Sequence, residues 1–268
     1  MKAMVLAAGL GTRLRPLTDN RPKALVEING RTLLEITLSR LRAFGVREVI
    51  INVHHFANMI LDYLKANDNF GMRVEISREE ALLDTGGGLK KAAWFFLEDP
   101  SRLDEPFILH NVDVISTIDL RRMVKFHKDN QALATLAVQN RETSRYLLFN
   151  DHHQLCGRRS SSTPVASAAE GATPGCAPQL AATQNPSATA SPLPETLAFS
   201  GIHVISPRLL PMMSEEGVFS IIDSYLRLAA QGEKILAFRA DDYYWRDLGR
   251  PADLTQAALD LHHKVVLS

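Results

Sequence analysis

The sequence predicts an α/β protein built on one mixed, mostly parallel sheet with helices on both faces, and three observations carry that expectation. Short apolar runs alternate with segments of helical spacing through the first half of the chain. The first of those runs closes on glycines, as a buried strand does when it feeds a tight loop. The 268 residues, with a hydrophobic fraction of 46%, suffice for a large core around one continuous sheet. A single domain over residues 1–268 is therefore expected.

Residues 3–7 form the first apolar run and close on Gly9 and Gly11. Residues 33–44 carry apolar side chains at helical spacing, residues 48–53 are a β-branched strand, and residues 56–65 are a second helix. A strand at 73–77 and a helix at 87–97 follow, then a strand at 107–110, a helix at 120–128 and a strand at 132–138. This repeated alternation predicts parallel pairing. From 159 to 194, 25 of 36 positions are Ala, Ser, Thr or Pro with no aromatic residue, too little apolar surface to offset the chain entropy of ordering. That stretch reads as an insertion of low complexity. Beyond it come strands at 199–205 and 235–238, a helix at 221–230, and a closing helix at 251–263 with proline in its first turn.

Composition excludes several classes. Thirty basic residues balance thirty acidic ones, so bulk charge draws the chain to neither nucleic acid nor an anionic membrane surface. No apolar run approaches the roughly 18 residues of a membrane span. The opening Met-Lys-Ala-Met-Val-Leu-Ala-Ala-Gly has a weak likeness to a signal sequence, but basic residues crowd in behind it, and a buried first strand explains it better. Cys156 and Cys176 form no C-x-x-C pair and suggest no disulfide framework, which fits a reducing cytoplasm.

The strongest local signal is Leu6-Ala7-Ala8-Gly9-Leu10-Gly11-Thr12-Arg13-Leu14-Arg15-Pro16, followed by Arg21-Pro22-Lys23. Glycines after a strand let backbone N–H groups approach phosphates, and Arg13, Arg15, Arg21 and Lys23 add four positive charges. A P-loop is excluded because no G-K-[ST] closes the segment, and a dinucleotide fingerprint because Leu14 stands where its third glycine belongs. Three further segments stand out: Asp84-Thr85-Gly86-Gly87-Gly88, read as a loop-to-helix junction; Phe107-Ile108-Leu109-His110-Asn111-Val112-Asp113, a strand running into a carboxylate; and Trp245-Arg246-Asp247-Leu248-Gly249-Arg250. The pairs His54-His55, His152-His153 and His262-His263 read as solvated or structural, since neighbours on a strand point apart.

Together these strings resemble the sugar-1-phosphate nucleotidyltransferases, in which G-x-G-T-R is followed by P-K, and the L-L-D-T-G-G-G and F-S-G-I wording is most similar to bacterial N-acetylmuramate 1-phosphate uridylyltransferases. The resemblance implies a Rossmann-like fold of the nucleotide-diphospho-sugar transferase type and transfer of a nucleotide from a nucleoside triphosphate, UTP favoured, to a sugar 1-phosphate, N-acetylmuramate 1-phosphate favoured. It also implies Mg²⁺ as cofactor and a cytoplasmic role in cell-wall recycling. Arg13 and Lys23 would be the catalytic cations; Ala8, Gly9, Gly11, Thr12, Arg13, Thr85, Gly86 and Gly87 would hold the nucleotide. Asp113 and Asp247 would bind the metal, and Ser200 and Gly201 the sugar. Val112 and Arg250 depart from the family pattern, and the Glu-Lys pair of larger relatives is missing. Guanylyl or thymidylyl transfer to mannose, glucose or heptose 1-phosphate, and a regulatory protein that binds nucleotide sugars without turnover, are the alternatives. Neither partners of another kind nor the oligomeric state follow from the sequence.

Overall fold

The computed structural model describes residues 1–160 and 193–263. Most of the predicted insertion, residues 161–192, lies outside the described residues, and so does Cys176. The amino-terminal part runs β1 (Lys2–Leu6), β2 (Glu27–Ile28), β3 (Arg31–Thr32), α1 (Leu33–Phe44), β4 (Glu48–Val53), α2 (Ala57–Ala66), β5 (Arg73–Arg78), α3 (Asp84–Lys91), α4 (Ala93–Leu97) and β6 (Phe107–Asn111). The remainder runs β7 (Val114–Ser116), α5 (Leu120–Asp129), β8 (Ala134–Gln139), β9 (Arg145–Phe149), β10 (Leu155–Ser160), β11 (Glu195–Ile205), α6 (Ile221–Ala230), β12 (Ile235–Arg239), β13 (Trp245–Asp247) and α7 (Pro251–His263).

Strands β6, β1, β4 and β5 lie side by side and parallel, as the alternation of elements predicts. The centres of β1 (residues 3–6), β4 (residues 49–51) and β6 (residues 107–109) are apolar without a break because both faces are covered, whereas β5 at the edge alternates polar and apolar residues. Ala3 and Val5 of β1 face a core formed with α1, α2, α5 and α7, while Met4 between them faces a second core formed with α3, α4 and α6. Beyond β6 the sheet becomes antiparallel around the long β11, which pairs with β6, β8 and β9; only β12 returns to parallel pairing, with β8. The mixed sheet with helices on both faces is the fold the sequence predicts.

Local chemistry explains the helix ends. Thr32 accepts a hydrogen bond from the Glu35 amide (3.0 Å) at the start of α1, and Gly45, at φ 111°, ends it in a left-handed conformation. Asp119 and Ser220 cap α5 and α6 in the same way.

Two expectations are corrected. The glycines at 86–88 lie inside α3, which starts at Asp84, and the helix predicted over 87–97 is two helices broken at Ala92. Glycine disfavours a helix in isolation, but packing outweighs propensity here. A Cβ on Gly86 would stand 2.3 Å from the Phe219 ring, and one on Gly87 would stand 2.4 Å from the Gly217 carbonyl oxygen. The cysteine reading is corrected too, since Cys156, buried on β10, is disulfide-bonded. Among the described residues no helix is long and apolar enough to cross a membrane.

Candidate active site

The carboxyl ends of β1 and β6 open into a cavity of about 520 Å³, the position where an open α/β sheet presents its ligand. The loop after β1 forms one wall. Gly11 takes φ 67°, and a Cβ there would stand 2.9 Å from Thr18 Cγ2, so the turn admits only glycine. The Thr18 hydroxyl donates to the Gly11 carbonyl (2.9 Å), and the fully buried Leu14 anchors the loop on the core. Gly9 differs: nothing lies within 4 Å of where its Cβ would be. Ala8, Gly9, Gly11, Thr12, Arg13, Lys23, Thr85 and Asp113 all line this cavity.

A buried relay fixes the loop against the opposite wall. The Ala7 amide donates to Asn52 Oδ1 (2.7 Å), Asn52 Nδ2 donates to Glu79 Oε1 (2.7 Å), and Glu79 Oε2 accepts from the Leu83 amide (3.0 Å). A Cβ on Gly88 would press on both Glu79 (2.8 Å) and Asn52 (2.9 Å), which supplies a reason for the third glycine. The amides of Gly86 and Gly87 donate to the Phe219 carbonyl (3.0 and 3.3 Å), and Thr85 Oγ1 accepts from the Ile221 amide (3.0 Å). Of this segment, Asp84 and Thr85 reach the cavity wall while Gly86 and Gly87 sit behind it.

Charge gathers on the floor. Lys23, 7% exposed, forms an ion pair with Asp113 at the end of β6. Antiparallel pairing of β13 with β7 sets Asp247 opposite Val114, and the Leu248 amide donates to the Asp113 carbonyl (2.8 Å), so residues 134 positions apart share one site. Burial, followed by repulsion from Asp113, raises the Asp247 carboxyl above its ordinary range, while Lys23, the Gly249 amide and Arg13 pull it back. A Cβ on Gly249 would stand 2.5 Å from Asp247 Oδ1 and 2.6 Å from Arg13 Nη2. Glycine thus leaves the room in which guanidinium and carboxylate approach each other. Two adjacent carboxylates form a set of hard oxygen donors, which is the chemistry Mg²⁺ takes.

Ser200 and Gly201 stand behind this site. Ser200 is fully buried, its carbonyl accepting from Trp245 Nε1 (2.7 Å). Gly201, at φ 73°, makes the bulge of β11 and packs on Asn111, whose Nδ2 would be 3.0 Å from its Cβ. Neither lines this cavity; they hold Trp245 and Asn111, which flank the carboxylates. Val112 is buried in the core, and Arg250 is exposed at the start of α7. Sequence reasoning misses Arg141, whose guanidinium stacks 3.7 Å over the Trp245 ring and donates to the Phe199 carbonyl (2.7 Å). No motif marks it. It also misses Asn52 and Glu79, whose pairing depends on the register of β4 and β5.

A second cavity of about 800 Å³ adjoins the first through Asp84, Thr85 and Asn111, and extends over β9, β10 and the start of α6.

A family model described as nucleotidyl transferase matches residues 2–151. An N-acetylmuramate alpha-1-phosphate uridylyltransferase of Caulobacter vibrioides is 32% identical over 93% of this chain and 92% of its own length. A mannose-1-phosphate guanyltransferase of Yarrowia lipolytica is 28% identical over 94% of this chain and 62% of its own. Among solved structures, HddC of Yersinia pseudotuberculosis complexed with GMP-PN superposes with a TM-score of 0.68 at 21% identity, covering 97% of this chain and 99% of that one.

Proposed function

The chain belongs to the nucleotidyl transferase family, and from that premise we propose that it transfers a uridylyl group from UTP to N-acetylmuramate 1-phosphate, releasing pyrophosphate. The observation that carries the proposal is the convergence of Arg13, Lys23, Asp113 and Asp247 at one end of a glycine-walled cavity. The uridine and N-acetylmuramate part rests on the Caulobacter relative, which matches along nearly its whole length.

The chemistry follows from charge. A phosphate oxygen of the sugar 1-phosphate is ionised near neutral pH and attacks the α-phosphorus in line; the bond to the β-phosphate oxygen breaks and pyrophosphate leaves. No general base is needed, so positioning and neutralisation dominate. Arg13 stabilises the departing phosphates, and Lys23 holds the α-phosphate and the incoming sugar phosphate once released from Asp113. Asp113 and Asp247 would hold Mg²⁺, which when bound neutralises phosphate charge as a Lewis acid. Ala8, Gly9, Gly11 and Thr12 accommodate the triphosphate, and Thr85 borders the base and ribose with Gly86 and Gly87 behind it. Substrates of this kind go with a cytoplasmic enzyme of cell-wall recycling.

Pyrophosphate release is measured for four nucleoside triphosphates crossed with N-acetylmuramate, N-acetylglucosamine, glucose, mannose and heptose 1-phosphates, with and without Mg²⁺. Release confined to UTP with N-acetylmuramate 1-phosphate and Mg²⁺ is expected. Turnover of GTP with mannose 1-phosphate instead would align the chain with the Yarrowia relative, and nucleotide binding without any turnover would leave a binding protein.

A further inference from the structure

Asp247 is carried by a part of the molecule that stands apart from the main sheet. Among the described residues, β7 and β13 form a two-stranded sheet of their own, three residues long, so the register of the main sheet does not by itself fix where Asp247 lies. Its carboxylate nonetheless stays close enough to Asp113 to feel its repulsion. Two arginines that make no ion pair among the described residues meet the small sheet at one rung, where Trp245 pairs with Ser116.

Arg40 of α1 anchors the β7 side, donating from Nη1 to Ser116 Oγ (2.7 Å) and from Nη2 to the Ile118 carbonyl. Arg141, in the connection between β8 and β9, anchors the β13 side. Its guanidinium lies 3.7 Å over the Trp245 ring and donates from Nη2 to the Phe199 carbonyl (2.7 Å), while Trp245 Nε1 donates to the next carbonyl, that of Ser200 (2.7 Å). The indole is therefore pinned at its face and at its edge to one strand, β11. That strand pairs with β6, setting Ile202 opposite His110, three residues before Asp113. Burial lowers the Arg141 pKa, the charge of Asp247 acts against that, and the buried Nε has no hydrogen-bond partner. An unpaired cation in such a place costs stability, and a planar group that stacks and donates at its edge together is what a guanidinium alone supplies.

We infer that Arg141 is a positioning residue: by stacking on Trp245 it ties β13 to β11, and so holds Asp247 where it can share one divalent cation with Asp113. The inference rests on the reading of these two carboxylates as the Mg²⁺ site under the proposed function, and adds the group that keeps the second of them in place.

The test measures Mn²⁺ binding to the full chain by electron paramagnetic resonance, independently of turnover. R141Q is expected to weaken Mn²⁺ about tenfold and to raise the Mg²⁺ needed for half-maximal pyrophosphate release by a similar factor. Most of the wild-type kcat should return at saturating Mg²⁺, and the affinity for UTP in EDTA should stay unchanged. In a W245L background the same substitution should cost little more, because the arginine acts through the ring. R141K keeps the charge without the planar fork and should fall between R141Q and wild type; it serves as the reading if a thermal melt shows R141Q unfolded. Wild-type Mn²⁺ affinity in R141Q or R141K, or an undiminished loss when R141Q is added to W245L, would overturn the inference. D247N separates it from the reading beneath: Mn²⁺ bound by D247N as by wild type removes Asp247 as a ligand, and the inference with it. Weakened Mn²⁺ in D247N with R141Q unaffected overturns the inference alone.

Discussion

The two adjoining cavities share three residues but are built in different ways. The nucleotide cavity draws most of its wall from short contiguous segments at the ends of β1 and β6, held by glycines with no room for a Cβ and by the Ala7–Asn52–Glu79–Leu83 relay. The second is assembled from β9, β10, β11 and α6, strands paired across long stretches of sequence, with charged side chains at its mouth. Under the proposed function the first takes the triphosphate, and backbone geometry makes it. The second is made by side chains on paired strands, which can be exchanged without disturbing the backbone. Turnover should therefore be fragile at the first cavity, and specificity at the second.

The largest effect is expected from Lys23→Ala, which removes the cation nearest Asp113 and should lower kcat for pyrophosphate release by about 10²- to 10³-fold. A loss concentrated in the KM for the sugar alone would move Lys23 into the specificity region and blur the contrast. Gly249→Ala comes next. Its methyl would stand within 2.6 Å of both Arg13 and Asp247, and the displacement should cost about 10²-fold in kcat/KM with little change in melting temperature.

The glycines sharpen the comparison further. Gly86→Ala drives a methyl into Phe219 and should destabilise the fold by about 1–3 kcal/mol in urea unfolding. Gly9→Ala, with open space around its Cβ, should unfold at the wild-type urea midpoint yet raise the KM for the nucleoside triphosphate. If Gly9→Ala unfolds early instead, the loop is a structural element in its own right.

The smallest effect is electrostatic. Burial holds His110 on β6 and His203 on the wall of the second cavity at pKa values of about 3, well below their ordinary value. Above the unfolded value of about 6.5 both states are neutral and no stability depends on pH. As pH falls below that value the unfolded chain takes up protons the folded chain refuses, so stability declines down to about pH 3. At pH 6 the loss is about 1 kcal/mol or less per histidine. Melting temperatures measured from pH 8 to 5 should fall with decreasing pH, and less steeply in His203→Asn; identical slopes would mean that His203 already binds its proton in the folded state.

The sequence by itself determined the alternating first half, since helical and strand periods there reflect burial of each element's own face. It gave the bounds of α1, β4, α6 and α7, and the strings that carry Arg13, Lys23, Asp113 and Asp247. Local caps and the contiguous residues of the glycine-rich loop are written in neighbouring positions, where spacing can be read. Only the tertiary structure decided that the glycines of α3 serve helix packing, that Ser200 and Gly201 sit behind the wall, and that Arg141, Asn52 and Glu79 support the site. It alone set β9, β10 and the start of α6 around a cavity that adjoins the one at the ends of β1 and β6. Those contacts depend on strand register and on the reversal of direction at β11, which join residues tens of positions apart. A periodicity of two or 3.6 residues records which face is buried, not which distant partner buries it.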